Sequence, residues 1–236
     1  IREYELERRS VDLRPVRTKR LRDDSHTIGY LRITQFSESV PKKVEEALQD
    51  LKDKEVEGLI LDLRNNSGGL VSSGIAVADS LLSEKPVVET KNRNGIKDAI
   101  FSQKDTSFDG PMVTLVNKGT ASASEILAGS LQDNGRSILM GERTYGKGLI
   151  QSLKSLGEDS GIAITVASYL TPKGNNIQGH GITPDKLLDL PEATEYGSAE
   201  DKWVRNAELF LESLLEKEEI SIQTNRFNDE ETNTEV

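Results

Sequence analysis

The segment that decides the fold is residues 112–127, which read MVTLVNKGTASASEIL. The first residues form an apolar run with the length of a buried strand, and Asn and Gly at the next positions favour a turn. The remaining residues place apolar side chains at helical spacing. The sequence therefore predicts a strand that passes through a short turn into a helix, with Ser122 where the helix begins.

Ser122 has two interpretations at this position. The first N–H groups of a helix have no intrahelical acceptor, so Ser122 could act as a nucleophile while the Ala123 amide donates to an oxyanion. Alternatively, Thr120, Ser122 and Ser124 are helix-capping residues, with Glu125 placed favourably against the helix dipole. The segment by itself leaves both interpretations open.

A second strand with a sharp end is predicted at residues 58–64, GLILDLR, followed by NNSGG at 65–69. The glycines let backbone N–H groups approach a ligand. The segment lacks the GxxxxGK[ST] pattern of a phosphate-binding loop. It suits the second half of an oxyanion hole, although a plain glycine turn fits the same residues. We interpret Asp62 and Arg64 as polar scaffold residues that hold the turn.

Few residues are available as a general base. The chain has no cysteine and two histidines, His26 and His180, neither of which lies near another catalytic-looking cluster. Lys147 is the alternative, and its flanking glycines and apolar neighbours permit the poorly solvated position that a neutral lysine requires. In a helical turn Gln151 would lie beside Lys147 and orient its amine. The competing interpretation of Lys147 is an ordinary solvated surface charge.

Five blocks of sequence stand in a fixed order along the chain: GYLRITQF at 29–36, LDLRNNSGG at 61–69, GTASASEI at 119–126, GKG at 146–148, and YLTP at 169–172 with GITPD at 181–185. Together they resemble the carboxyl-terminal processing peptidases, or tail-specific proteases, and the resemblance extends over most of the chain. Residues 131–136 and 148–152 are similar to the cyanobacterial and plastid branch. The implied fold is a crotonase-like or ClpP-like layered α/β serine protease core with a small N-terminal β appendage.

The resemblance also implies roles for individual residues. The nucleophile, the general base and the residue that positions the base would be Ser122, Lys147 and Gln151. The amides of Gly68 and Ala123 would form the oxyanion hole. The implied activity is that of a serine endopeptidase that cleaves near the C-terminus of protein substrates, with no metal or organic cofactor. A photosystem II reaction-centre precursor is a candidate substrate.

Family members carry a PDZ domain that captures the free C-terminus of the substrate, and we expect this chain to begin after that domain. The predicted division is N-terminal strands and linker at 1–25, protease core at 26–198, a packed helix at 199–217 and an acidic, disordered tail at 218–236. The resemblance implies an extracytoplasmic location, in the periplasm or thylakoid lumen. The sequence does not indicate an oligomeric state.

Composition excludes several classes of protein. A length of 236 residues suffices for one large core, and a net charge of −10 argues against nucleic acid as the main partner. The lack of cysteine excludes disulfides and thiol catalysis. Long apolar runs are missing from the sequence, which predicts no transmembrane helix and no signal peptide in these residues.

Two other functions remain as alternatives. The first is a non-catalytic peptide-binding or scaffold module with a misaligned site. The second is a crotonase-like acyl-CoA enzyme, which the sequence disfavours because the Ser122, Lys147 and Gln151 set has no role there.

The elements predicted outside the Ser122 segment alternate between strand and helix, as in layered α/β folds. Strands are expected near 30–34, 58–64, 86–90, 137–140 and 161–169, and helices near 39–53, 71–83, 123–133 and 200–217.

Overall fold

The computed structural model of the chain describes residues 14–22, 26–95, 97–103, 105–157, 160–189, 191 and 195–232. Within these ranges the elements are, in chain order, β1 Val16–Arg22, β2 Thr27–Ile33, α1 Val40–Asp53, β3 Gly58–Asp62, α2 Val71–Asp79, β4 Pro86–Asn92, β5 Lys97–Phe101, β6 Met112–Val116, α3 Ala123–Asp133, β7 Ile138–Gly141, β8 Leu149–Gly157, β9 Ser160–Leu170, β10 Lys186–Leu187 and α4 Lys202–Thr232.

The strands form two sheets. The main sheet has the order β1-β2-β3-β6-β7-β10, in which β1 is antiparallel to β2 and the remaining pairs are parallel. The second sheet is antiparallel, with the order β5-β4-β9-β8. Parallel neighbours need crossover connections, and helices α1 and α3 supply them between β2 and β3 and between β6 and β7.

The central strands of the main sheet are covered on both faces. Leu59 and Leu61 pack into a core that includes residues of α1, α2 and α3, whereas Ile60 faces a second core with Trp203 and Leu211 of α4. This alternation explains why β3 reads as a continuous apolar run instead of an alternating one. The carboxyl ends of β3 and β6 lie side by side, so the turns that follow these two strands meet at one edge of the sheet.

The α/β class is confirmed, and the strand at 112–116 and the helix at 123–133 have the predicted bounds. The N-terminal β element is represented by β1, which forms the edge of the main sheet, while residues 1–13 lie outside the described ranges. Within those ranges, none of the helices is both long and apolar enough to cross a membrane.

The structure departs from the sequence predictions at two places. The helical turn expected at residues 147–151 is wrong, because a loop leads there into β8, which pairs with β9 over most of its length. Residues 218–232, for which the sequence predicts disorder, continue α4. Their Glu, Gln and Arg residues favour a helix. The proposed domain boundaries remain predictions.

Candidate active site

Ser122 occupies a strained turn immediately before α3. Its backbone has φ 58° and ψ −118°, a region that residues with a Cβ atom rarely adopt and that costs on the order of 1–3 kcal/mol. An ordinary N-cap residue instead has extended backbone angles. A strained turn between strand and helix lifts the side chain of a nucleophile away from the sheet. The backbone at Ser122 therefore favours the nucleophile interpretation over a purely structural cap.

The turn after β3 is packed directly against this strained turn. A Cβ atom placed on Gly68 would lie 2.8 Å from the Ser122 Cβ, so only glycine fits there. The carbonyl oxygen of Asn66 accepts hydrogen bonds from the Ala121 amide at 3.0 Å and from the Ser124 hydroxyl at 2.9 Å. The two glycine-containing turns that the sequence predicts separately thus form one structural unit.

The two amides predicted to form the oxyanion hole lie in this unit but differ in their bonding. The Gly68 amide donates to the side-chain oxygen of Asn66 at 3.0 Å, so it is engaged within the turn. Within the described ranges, no protein acceptor receives the Ala123 amide at the start of α3. A Cβ atom on Gly68 would also lie 3.1 Å from the Ala123 nitrogen, so both amides lie beside Ser122.

Glu125 joins the nucleophile turn to the lysine loop. Its carboxylate is fully buried and accepts the amides of Ser122 at 2.9 Å, Gly146 at 2.7 Å and Lys147 at 2.8 Å. It also accepts the Thr144 hydroxyl at 2.5 Å. The sequence alone indicates only a helix-dipole role for Glu125. The Ser-x-x-Glu spacing of a capping box signals the Ser122 contact, but the contacts to the loop are long-range.

The side chain of Lys147 is exposed, so the poorly solvated position predicted for it is not present. Within the described residues, no hydrogen bond joins Ser122 to the Lys147 ammonium. Gln151 is the third residue of β8, and four residues of extended chain span up to roughly 13 Å, so it is not a helical-turn neighbour of the lysine. A cleft of about 540 Å³ nevertheless contains Lys147 and Gln151 together with Ala121, next to Ser122 in sequence.

A buried ionic cluster supports the turn after β3. The guanidinium of Arg64 makes two hydrogen bonds to Asp62, at 3.0 and 2.6 Å, and two to Asp201, at 3.1 and 2.6 Å. The ring of Tyr196 lies 4.3 Å from Arg64, and its hydroxyl accepts a 2.6 Å hydrogen bond from the Asn65 side chain. These contacts agree with the interpretation of Asp62 and Arg64 as residues that hold the turn.

The contacts within this cluster shift the pKa values of Arg64 and Asp201. Burial acts to lower the pKa of Arg64, but the hydrogen bonds and charges of Asp62 and Asp201 outweigh it and raise that pKa. Burial acts to raise the pKa of Asp201, but the hydrogen bonds from Arg64 and from the Gly197 amide hold that pKa below its usual range. The charged forms of Arg64 and Asp201 are therefore the stable ones, and these two residues form an ion pair.

Replacing Glu125 with glutamine is expected to lower kcat about 10- to 100-fold while KM changes less than about threefold. The side-chain NH₂ of glutamine would point its own donors at N–H or O–H groups that donate to the carboxylate in the unmodified chain. Each buried donor left without an acceptor costs about 1–3 kcal/mol. Steady-state cleavage kinetics at a temperature where both proteins are folded test this expectation. Glu38→Gln is the matched control, because Glu38 is exposed. A rise in KM as large as the fall in kcat would argue against a role in positioning.

Comparisons with known proteins agree with this geometry. A profile of peptidase family S41 matches residues 27–188. A carboxyl-terminal-processing protease of Synechocystis sp. is 47% identical over 192 residues, which cover 80% of this chain and 44% of that protein. A chloroplastic C-terminal processing peptidase of Tetradesmus obliquus is 45% identical over 164 residues, covering 69% of this chain and 35% of that protein.

The solved structure of a photosystem II D1 C-terminal processing protease superposes with a TM-score of 0.71 at 38% identity, covering 77% of this chain and 50% of that chain. The chain thus spans about half or less of the length of these relatives. The resemblance seen in the five sequence blocks is confirmed, and the chain belongs to peptidase family S41.

Proposed function

We propose that the chain is a serine endopeptidase that cleaves polypeptides near their C-termini, with Ser122 as nucleophile and Lys147 as general base. The observation that carries the proposal is the backbone strain at Ser122, which lies at the start of α3 and against Gly68. A helix cap needs no such strain, whereas a nucleophile that must reach a substrate carbonyl does.

The proposed reaction is an acyl transfer through an ester on Ser122. Neutral Lys147 takes the proton from the Ser122 hydroxyl as its Oγ bonds to the carbonyl carbon, and the carbonyl oxygen becomes an oxyanion. The peptide C–N bond then breaks, and Lys147 gives its proton to the leaving nitrogen. Lys147 then takes a proton from a water molecule, which attacks the resulting ester. The ester C–O bond breaks, and Ser122 Oγ regains its proton from Lys147.

The oxyanion would be held by backbone amides. The Ala123 amide is available for this, whereas the Gly68 amide would have to exchange its contact with the Asn66 side chain for the oxyanion. Gln151 would orient the Lys147 amine from β8, across the cleft that both residues line. The glutamine therefore acts from a strand, not from the next turn of a helix.

The substrate would lie extended beside β8, which forms the edge of the second sheet. We also propose that a PDZ domain presents the free C-terminus of the substrate, and that the protein acts outside the cytoplasm, in the periplasm or thylakoid lumen. A photosystem II reaction-centre precursor is the proposed substrate, in line with the name of the structural relative.

A second candidate function is a peptide-binding module without catalysis. It is favoured by the resting geometry, in which Lys147 is exposed and the Gly68 amide is engaged by Asn66. Binding of peptides would then need no proton transfer at Ser122.

Time-resolved mass spectrometry of an unstructured protein with an apolar C-terminus distinguishes the two functions. We expect the chain to release C-terminal fragments and its Ser122→Ala variant to release none. A version extended by a PDZ domain is tested in parallel, and cleavage by this version alone would mean that the domain aligns the site or delivers the substrate. Binding without cleavage by either version would refute the peptidase proposal and support the binding module.

A further inference from the structure

A second cavity adjoins the candidate active site. It has a volume of about 700 Å³, is lined by residues of the second sheet, and shares Leu149 with the cleft that contains Lys147. Three cationic residues line it, and they are Lys91, Arg93 and Lys97. In a chain with a net charge of −10, this is a local excess of positive charge.

The strand register places two of these cations, Lys91 and Lys97, in a row that leads away from the cleft. Lys97 is paired with Lys91, Lys91 with Ser168, and Ser168 with Leu149. Directly paired residues lie on the same face of a sheet, and neighbouring strands are about 4.8 Å apart. Lys91 therefore lies roughly 10 Å, and Lys97 roughly 14 Å, from Leu149, which lines both cavities.

The charge of this row is not balanced. Like charges directly opposite one another on neighbouring strands destabilise a sheet, and Lys91 and Lys97 have this arrangement. Glu89 pairs with Lys97 at 3.0 Å. In the described part of the chain, neither Lys91 nor Arg93 has an ion pair. An added anion would relieve the repulsion, which distinguishes this row from scattered surface lysines.

We propose that this cavity binds a carboxylate of the polypeptide whose backbone occupies the cleft. The proposal deepens the peptidase function and rests on it. To reach the lysines the chain must leave the edge of β8 at Leu149 and cross β9 and β4. An extended chain advances about 3.3 Å per residue, so three or four residues beyond Leu149 then reach Lys91 and Lys97. The carboxylate belongs either to an Asp or Glu side chain or to the end of the chain. Continuity with the cleft through Leu149 favours a peptide over an unrelated polyanion.

The test uses matched peptides that carry Glu or Gln at each position from four to about eight residues before or after the scissile bond, each with a free or an amidated C-terminus, because the count from Leu149 does not include the residues between Ser122 and Leu149. With the unmodified chain, we expect kcat/KM to be about tenfold higher for peptides that place a carboxylate in the cavity. Lys91→Gln with Lys97→Gln should reduce this preference to less than about twofold, since two of the three cations are lost. The comparison of Glu with Gln peptides tests for a bound side-chain carboxylate. The comparison of free with amidated peptides tests for the C-terminal carboxylate.

Lys42→Gln with Lys52→Gln is the matched control, because both residues are exposed on α1 and the charge change is the same. The control should retain the preference. The Lys91 and Lys97 double variant should melt within about 2 °C of the unmodified chain, because it loses a repulsive pair together with the partly exposed ion pair between Lys97 and Glu89. Retention of the preference in that variant, or no preference in the unmodified chain, would overturn the proposal.

Binding measurements separate this proposal from the peptidase function. Fluorescence anisotropy of the same labelled peptides with the Ser122→Ala chain needs no cleavage. A carboxylate preference in binding that the lysine substitutions remove would support the cavity even if the unmodified chain cleaves nothing. Cleavage without any carboxylate preference would refute the cavity and leave the peptidase function in place.

Discussion

Replacement of Lys147 with alanine is expected to lower kcat/KM for an unstructured protein substrate by about 10⁴-fold, the upper range for loss of a general base. The thermal midpoint should change by less than about 2 °C, because the Lys147 side chain is exposed and only its backbone amide binds Glu125. That amide remains in the alanine variant. Cleavage kinetics and a thermal melt measure the two quantities independently.

Three further variants make this expectation specific. Lys147→Arg should be as inactive as Lys147→Ala, because arginine keeps the positive charge but cannot give up its proton. Lys118→Ala, at another exposed lysine near the nucleophile turn, should retain activity. His180→Ala should retain activity as well, and so should His26→Ala at a temperature where it is folded. Inactivity of a folded histidine variant would contradict the choice of base.

Replacement of Arg64 with methionine is expected to lower the free energy of unfolding by about 3–5 kcal/mol. The substitution leaves the carboxylates of Asp62 and Asp201 buried without the guanidinium that bonds to both. Urea unfolding followed by circular dichroism measures the loss. Because Arg64 directly precedes the turn that contains Gly68, cleavage should also fall under conditions where the variant is still folded.

The companion variant combines Arg64→Met with Asp201→Asn. Asp62 keeps its 3.0 Å ion pair with Arg32 in both variants, so Asp201 is the carboxylate that Arg64→Met leaves buried without a cation. Removing that charge should make the double variant more stable than Arg64→Met alone. Asparagine at position 201 also keeps an acceptor for the first amides of α4. A double variant less stable than the single one would show that the charges do not govern the effect.

The parts of the fold that the sequence predicted well are those with a local cause. The strand at 112–116 and the helix at 123–133 follow from apolar runs and spacing within a single segment. Strand β8 escaped prediction because its Lys147–Gln151 spacing also fits a helical turn, and only the pairing with β9 decides between the two. Long-range pairing of this kind is not readable from a single segment.

In the candidate site, too, features with a local cause were predicted and features set by long-range contacts were not. The residues Ser122, Lys147 and Gln151 were selected from sequence, and the structure places the first at a strained turn and the other two in the adjoining cleft. The contacts of Glu125 with Thr144, Gly146 and Lys147 were not predicted, because these three groups come from a loop that is distant in the sequence, whereas its contact with Ser122 has the local spacing of a capping box. Burial of a carboxylate with its donors is a property of the folded chain alone.

Trp203 gives the protein an intrinsic fluorescent reporter of the buried ionic cluster around Arg64. It is the single tryptophan of the chain, it is 1% exposed, and its ring lies 5.5 Å from the Arg64 guanidinium. Trp203 belongs to the first turn of α4, whereas Arg64 follows the end of β3, so the indole senses whether the C-terminal helix is seated on the sheet. The wavelength of its emission therefore follows the integrity of the turn beside Ser122 without any added label.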